Sequence, residues 1–485
     1  MDKVISLDQA VENIHDGATI MLGGFLGVGT PLKAIEKLVE IGVKNLTIIS
    51  VTNSYPRQDF DIALLYQNKQ VKKLITTHSG TTQVALDQYA NGDLEIQYFP
   101  MGSFIEKIRA GGAGLGGVLT PTGLGTLAEE GKQKLTIQGK QYLLELPLRA
   151  DFAFIKGYRG DRYGNIQYRG VALNSNPVMA IAADFTIAEV NEIVEVGGIA
   201  PESVGTPSVF VQAVVQGHPF KNHKTIYTDL WLRSKQLRSS TATGQVVKDP
   251  PNEGSTKSVD AREMIARRAA KELSDGQVVN LGIGMPTAVA NYLPADVELN
   301  LQSENGCLLF GPTPTLGSED PDVANAGAQP ISLVPGASVF DLATSFTIIR
   351  GGYVDATILG ALEVDQEGNI ANWALPLAPG KFAPGMGGAM DLLFGARKVV
   401  VALEHSGKGG SKILKRCRLP ITGKGVVDVI VTEKAVFEVT PDGLVLTEMR
   451  EGLTVDDIRS ITEADFVVSE NVRLYQVSSA ASLGR

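Results

Sequence analysis

Cysteine is nearly absent: the 485 residues contain two, Cys307 and Cys417. Two thiols so far apart in sequence make neither a disulfide framework nor a metal-ligand pair, and they suit a reducing cytoplasm. Histidine is also scarce: His15, His78, His218, His223 and His405 form no HExxH or other close ligand spacing, so no metal site is expected. There is no uninterrupted apolar run of 18 or more residues, and hence no expected membrane span. The opening MDKVISLDQAVENI is acidic and helical in pattern rather than a signal peptide. A net charge of -9 without a compensating Lys/Arg block argues against a nucleic-acid partner. GxSxG is missing, which argues against an ordinary serine hydrolase. GGFLGVG has the wrong glycine spacing for dinucleotide binding, and GTLAEEGKQ has the wrong spacing and no Ser/Thr for a phosphate loop. What remains as chemical equipment is carboxylates, amides and glycine-rich loops.

Such loops are plentiful, with 53 glycines in a chain that is 44% hydrophobic and 20% charged. That composition is ordinary for a globular protein, and the length exceeds what one hydrophobic core supports. LDQAVENIHDGATIMLGG, near the start, has a counterpart in AREMIARRAAKELSDGQVVNLGIG at 261–284. Each reads as an amphipathic helix, an Asp-Gly turn, a β-branched apolar run and a Leu-Gly pair, with Ile14, Asp16 and Gly17 matching Leu273, Asp275 and Gly276. Continuous apolar runs such as ATIML, LTIISV and KVVVAL predict buried parallel strands, and PLKAIEKLVEI predicts a helix between them. The fold class expected is α/β: two similar open α/β/α domains with mostly parallel sheets, in tandem. Their boundaries are placed at 1–237 and 259–485, with a Ser-, Thr-, Gly- and Pro-rich linker at 238–258.

One carboxylate stands out. VELNLQ, residues 297–302, alternates as a strand does, and Ser303-Glu304 follow at its carboxyl end, where open α/β sheets bind ligands. Asn305-Gly306 predicts a sharp turn that presents Glu304, and CLLF behind it predicts dry surroundings. An ordinary Glu is ionised at pH 7, and partial desolvation makes it a stronger nucleophile. On spacing alone, a surface-loop Glu is the competing reading.

QSENG resembles the active-site motif of family I CoA-transferases, the group of the 3-oxoacid and acetate/acetoacetate enzymes. DGATIMLGGFLGVGTP, IRAGGAGLGG with TPTGLGT, NLGIGMP, IRGGYVD, ANW, GMGGAMD and MREGLTVDD resemble further blocks of that family, in the expected order along nearly the whole chain. The resemblance implies a CoA-transferase fold whose two subunits are fused, the first half alpha-like and the second beta-like with the catalytic Glu. It implies ping-pong transfer of CoA through an acyl-glutamyl anhydride and a glutamyl-CoA thioester on Glu304. The substrates implied are an acyl-CoA and a small carboxylic acid, with no permanently bound cofactor. GMGG resembles the family's oxyanion loop, placing backbone donors at Gly387 and Gly388. Asn53, Met101, Asn280 and Asn305 match substrate-side positions, and Gly24, Gly27 and Gly29 match the first-half glycine loop, taken as a CoA contact. Fused enzymes of this kind usually pair, so a homodimer or homotetramer is expected.

The chain also departs from the family. CLLFGP stands where VLGLGP is common, so Cys307 replaces an apolar residue and Leu309 a glycine. Animal 3-oxoacid enzymes carry Gln at Met101 and Lys at Ala328. Losing that amide and that cation predicts a monocarboxylic short-chain acyl pair, such as acetate or acetoacetate, rather than succinate. Lys408, Lys412, Lys415 and Arg416 read either as a solvated helix face or as a contact for CoA phosphates. An acyl-CoA hydrolase would share every motif. A non-catalytic acyl-CoA sensor would have no need of QSENG and GMGG.

Overall fold

Both halves begin with the same local device. Gly17 and Gly276 both have positive φ, +82° and +74°, as the turn after each opening helix requires. Asp16 accepts from the Lys44 amide at 2.7 Å, and Asp275 accepts from the Glu298 amide at 2.8 Å. The Gly17 amide donates to the Lys44 carbonyl and the Gly276 amide to the Glu298 carbonyl. Further along, Asp151 accepts from the Thr19 amide and Asp355 from the Val278 amide. The two halves therefore share individual hydrogen bonds as well as a hydrophobic pattern. These relations come from a computed structural model that describes residues 2–57, 59–237 and 260–475. The linker placed at 238–258 lies outside the described residues.

In the first half, apolar strands Thr19–Leu22, Leu46–Ile49, Val71–Thr76 and Glu95–Tyr98 run parallel, extended on the other side by Ala150–Asp161, Ala183–Val194 and Ala213–Gln216. The short strand Ile166–Gln167 adds antiparallel to Ala150–Asp161. Helix Leu32–Ile41 lies where PLKAIEKLVEI places it, stopped by Gly42 in the left-handed conformation. It buries Leu32, Ala34, Ile35 and Leu38 against the sheet, each side chain contributing about 1.5–3 kcal/mol of hydrophobic stabilisation except the small alanine.

The second half has a parallel centre of Asn300–Ser303, Val278–Leu281, Ala356–Gly360, Val399–Ala402 and Val429–Val431. Antiparallel strands extend both flanks: Cys307–Phe310 and Leu333–Val339 on one, Ala435–Thr440 and Gly443–Arg450 on the other. Phe466–Tyr475 closes the far edge parallel to Gly443–Arg450. Both sheets are thus mostly parallel, the second with hairpins added. The halves meet where segments following the first-half strands Val71–Thr76 and Glu95–Tyr98 hydrogen-bond to residues 384–387 of the second, and where helix Met101–Gly112 packs on helix Leu342–Arg350.

Candidate active site

Glu304 sits on the tip of a hairpin joining Asn300–Ser303 to Cys307–Phe310, with Ser303 opposite Cys307. Gly306 has φ +118°, and a Cβ there would overlap the Phe340 carbonyl oxygen. Asn305 turns inward: its Oδ1 accepts from Ser303 Oγ at 2.7 Å and its Nδ2 donates to the Ala324 carbonyl at 2.8 Å. Ser303 Oγ in turn accepts from the Ala326 amide at 2.9 Å. The turn is braced from within by the residues flanking Glu304. Asn305 acts here as a strut, with its amide group already paired, and not as an open ligand contact.

The glycine loop faces this turn. Gly385 and Gly387 have positive φ, and Gly388 begins helix Ala389–Gly395 with an ordinary φ of −88°. Gly388 is therefore not demanded by its backbone angles. Space demands it: a Cβ there would overlap Glu304 Oε2 and lie 3.0 Å from the carboxylate carbon. The carboxylate occupies the room the missing side chain leaves. Among the described residues the Gly388 amide has no hydrogen-bond partner, whereas the Gly387 amide donates to the Thr77 carbonyl at 3.0 Å. Of the two amides expected to serve as oxyanion donors, Gly388 is available and Gly387 is spent on holding the loop.

That hold comes from the first half. Besides the Thr77 bond, the Ser79 amide donates to the Pro384 carbonyl and the Met101 amide to the Gly387 carbonyl. The Gly102 amide donates to Asp391 Oδ2 at 2.9 Å. Beneath the loop an apolar cluster of Ala128, Trp373, Ala374, Met386 and Met390 joins side chains from both halves. The glycine loop of the second half is held by segments that follow strands of the first, so neither half alone contains the site.

Burial dominates the electrostatics. It pushes the Glu304 carboxyl from 4.5 up to about 7, with the nearby Asp391 charge adding to the rise. Asp391 is itself fully buried and pushed up to about 6 by desolvation, against the opposing pull of Arg350 and its hydrogen bonds. Near neutrality Glu304 is shared between its acid and its carboxylate, unlike the fully ionised residue expected from an ordinary Glu. Arg350 Nη2 pairs with Glu106 at 2.9 Å, and its Nη1 lies 3.8 Å from Asp391. A largely desolvated carboxylate beside a glycine whose amide is unpaired is suited, in its ionised form, to nucleophilic attack on a carbonyl carbon, the new oxyanion taking the amide.

The family profile described as coenzyme A transferase matches residues 4–217 and 262–460. The chain belongs to the coenzyme A transferase family. A mouse (Mus musculus) protein named succinyl-CoA:3-ketoacid coenzyme A transferase 2A, mitochondrial, is 42% identical, covering 96% of this chain and 90% of its own. The beta subunit of acetate CoA-transferase from Escherichia coli K12 is 52% identical over 44% of this chain and 97% of its own, as a fused two-subunit chain requires. The fold is shared with an acyl-CoA transferase apoenzyme from Escherichia coli O157:H7, with TM-score 0.76 at 22% identity over 98% of this chain and 95% of that one. The protein is a transferase that moves coenzyme A between an acyl-CoA and an acid.

Within this CoA-transferase the other expected positions fall into two groups. Asn53 is buried beside the His78–Ser79 strand end. Its Nδ2 donates to the Ser79 carbonyl at 3.4 Å, and its Oδ1 has no partner among the described residues. Met101 is buried, its amide donating to the Gly387 carbonyl at 2.9 Å. These two lie at the junction of the halves. Asn280 instead donates to Gln302 Oε1 at 2.7 Å and braces the strand that carries Glu304. Gly24, Gly27 and Gly29 are buried in the first half, not on an open surface. A Cβ at Gly24 would overlap Thr30, one at Gly29 would lie 2.8 Å from the Ala172 carbonyl, and Tyr227 donates to the Gly27 carbonyl. At all three glycines taken as CoA contacts φ is positive and the Cβ position is crowded by first-half neighbours, Thr30, Tyr55 and Ala172.

The departures have local explanations. Cys307 is fully buried and its thiol is pushed up to about 12, so it packs as an apolar residue. Leu309 has φ +63° at a bulge in its strand pairing, a conformation natural to the glycine it replaces. Ala328 also has positive φ, and its carbonyl accepts from Trp231 Nε1 at 3.0 Å. The basic segment forms no helix: Ser406–Gly407 pairs with Gly410–Ser411 as a hairpin, and Lys415 pairs with Asp465. Asp391, Arg350, Gly102 and Ser345 were not singled out from sequence, although GMGGAMD and IRGGYVD contain the first two. Among the described residues no group of three His, Cys, Asp or Glu could hold a metal ion, and no helix is long and apolar enough to cross a membrane.

Proposed function

We propose that the enzyme transfers CoA between short-chain monocarboxylic acids by a covalent route through Glu304. The observation that carries this reading is the Glu304 carboxylate lying in the space vacated at Gly388, whose amide is unpaired. Ionised Glu304 attacks the thioester carbonyl carbon, and the Gly388 amide holds the resulting oxyanion. The carbon–sulfur bond breaks, giving an acyl-glutamyl anhydride and CoA thiolate. The thiolate attacks the glutamyl carbonyl, the donor acid leaves as carboxylate, and a glutamyl-CoA thioester remains. The acceptor carboxylate then reverses the sequence and departs with CoA, restoring Glu304. Exclusion of water preserves the thioester energy throughout.

For the acid side, Asn53 with its unpaired Oδ1 supports a polar contact, and buried Met101 supports an apolar acyl chain over a second carboxylate. Acetate and acetoacetate fit this description. The two units are proposed to divide at 238–258, to associate as a homodimer or homotetramer, and to work in a reducing cytoplasm. The test is steady-state kinetics over a panel of acids and acyl-CoA donors. Parallel initial-rate lines, loss of activity in Glu304→Ala and a preference for monocarboxylic partners are expected. Activity retained in Glu304→Ala overturns the route, release of free CoA without acyl-CoA product indicates a hydrolase, and succinyl-CoA as the best donor by kcat/KM overturns the substrate assignment.

A further inference from the structure

Glu304 is presented from a hairpin tip, yet its carboxylate must meet a space one methyl wide at Gly388. Bracing of the flanking residues does not by itself orient Glu304. Among the described residues a single hydrogen bond reaches its main chain carbonyl: Ser345 Oγ donates to it at 2.7 Å. Ser345 Oγ also accepts from Gln302 Nε2 at 3.0 Å, and Gln302 Oε1 accepts from Asn280 Nδ2 at 2.7 Å. The three side chains are buried, at 0%, 2% and 5% exposure, so water does not compete for these bonds.

Asn280 Nδ2 also reaches the Gln302 main-chain carbonyl at 3.3 Å, which keeps it a donor and sets the direction of the relay. A Gln302 amide turned the other way would set its NH2 against the NH2 of Asn280 and its oxygen against Ser345 Oγ. The serine proton would then be drawn away from Glu304. Asn280 therefore keeps Gln302 as a donor to Ser345, and Gln302 leaves the serine proton free for the Glu304 carbonyl. Ser345 lies on helix Leu342–Arg350, which also carries Phe346 against Gly388 and Arg350 beside Asp391. One helix thus touches the nucleophile turn, the oxyanion glycine and the neighbouring carboxylate, and can set the spacing between them.

We propose that Ser345, oriented by Gln302 and Asn280, is a positioning residue that aims Glu304 at the Gly388 amide. The proposal rests on Glu304 being the nucleophile. It assigns to Asn280 a part in aiming Glu304, in addition to any contact with substrate. A misplacement of about 1 Å at a reacting group costs on the order of 100-fold in rate. Ser345→Ala should therefore slow formation of the glutamyl-CoA adduct, and kcat, by roughly 10- to 100-fold. KM for the acyl-CoA should change by less than about threefold, because the serine does not touch substrate.

Single-turnover mass spectrometry of the adduct in wild type, Ser345→Ala, Ser345→Cys and Gln302→Met tests this. The expected order of adduct rate is wild type, then the cysteine variant with its weaker donor, then alanine. The effects of Gln302→Met and Ser345→Ala in one chain should be less than multiplicative, because both break one relay. A Ser345→Ala rate equal to wild type, a rise in KM with kcat unchanged, or fully multiplicative effects overturns the proposal. Should Ser345→Ala not fold, the volume-conserving Ser345→Cys and Gln302→Met decide, and wild-type adduct rates in both overturn it. Absence of any adduct in wild type is a different failure, that of the nucleophile assignment itself.

Discussion

Replacing Glu304 with glutamine should stabilise the protein while abolishing its activity, and the gain should grow with pH. Glutamine keeps the shape of the side chain and removes the charge that burial opposes. The Glu304 carboxyl titrates at about 7 in the folded protein against 4.5 unperturbed. The folded state therefore binds the proton more tightly than the unfolded chain. Below pH 4.5 both states are protonated and the residue carries no linkage penalty. Between 4.5 and 7 the unfolded chain releases its proton first, and wild-type stability falls relative to the variant. Above about 8 the difference is constant. A shift of this size corresponds to about 3 kcal/mol, reduced to roughly 1–3 kcal/mol by the partial solvent contact of the side chain. Urea denaturation of wild type and Glu304→Gln, followed in parallel from pH 5 to 8.5, measures the difference. The reasoning is refuted by a difference that does not vary with pH, or by a variant less stable than wild type at pH 8.

The same protonation governs rate: kcat/KM should rise with pH through an apparent pKa near 7, and Asp391→Asn, which removes a like charge, should move this limb to lower pH. A limb that stays in place or moves upward contradicts the assigned role of Asp391. Gly388→Ala has no backbone strain to answer for, so it should retain the fold by circular dichroism and lose on the order of 100-fold or more in kcat through the clash with Glu304 and the disturbed amide. Arg268 lies buried between Glu448, at 2.5 Å, and Glu272, at 2.6 Å, which also pair with Arg473 and Lys398, so Arg268→Ala should cost about 1–3 kcal/mol by removing the charged hydrogen bonds they share, measured by denaturation. Cys307, buried with its thiol near 12, should resist alkylation at pH 8 in the native enzyme and react after unfolding, by mass spectrometry of the labelled peptide.

Local chemistry was legible in the sequence and long-range packing was not. Asp16-Gly17 and Asp275-Gly276 disclose the matched halves because a carboxylate and a left-handed glycine act within a few residues of the turn they build. Glu304 was legible for a similar reason, standing at a strand end before a turn, and the family blocks supplied the rest. Asp391 could not be read this way: its partners Gly102 and Thr122 lie 289 and 269 residues away, across the junction of the halves. The direction in which an amide points is equally invisible, so Asn305 and Asn280, polar and near the nucleophile, resembled substrate contacts while their side chains brace the fold. Gly24, Gly27 and Gly29 show a similar ambiguity, since close approach to a neighbouring strand and close approach to a ligand place the same demand on a backbone. EHSGKGGSK folds as a hairpin because its glycines disfavour a helix, which its lysines alone would permit.

The proposed transfer of CoA requires a covalent bond between Glu304 and coenzyme A. Incubation with acetoacetyl-CoA or acetyl-CoA, followed by intact-mass and peptide mass spectrometry, tests it most directly. A CoA adduct is expected on the peptide containing Glu304, released by an acceptor acid, trapped by borohydride with loss of activity and absent from Glu304→Gln. Turnover with no adduct at Glu304, or an adduct on another residue, would contradict it.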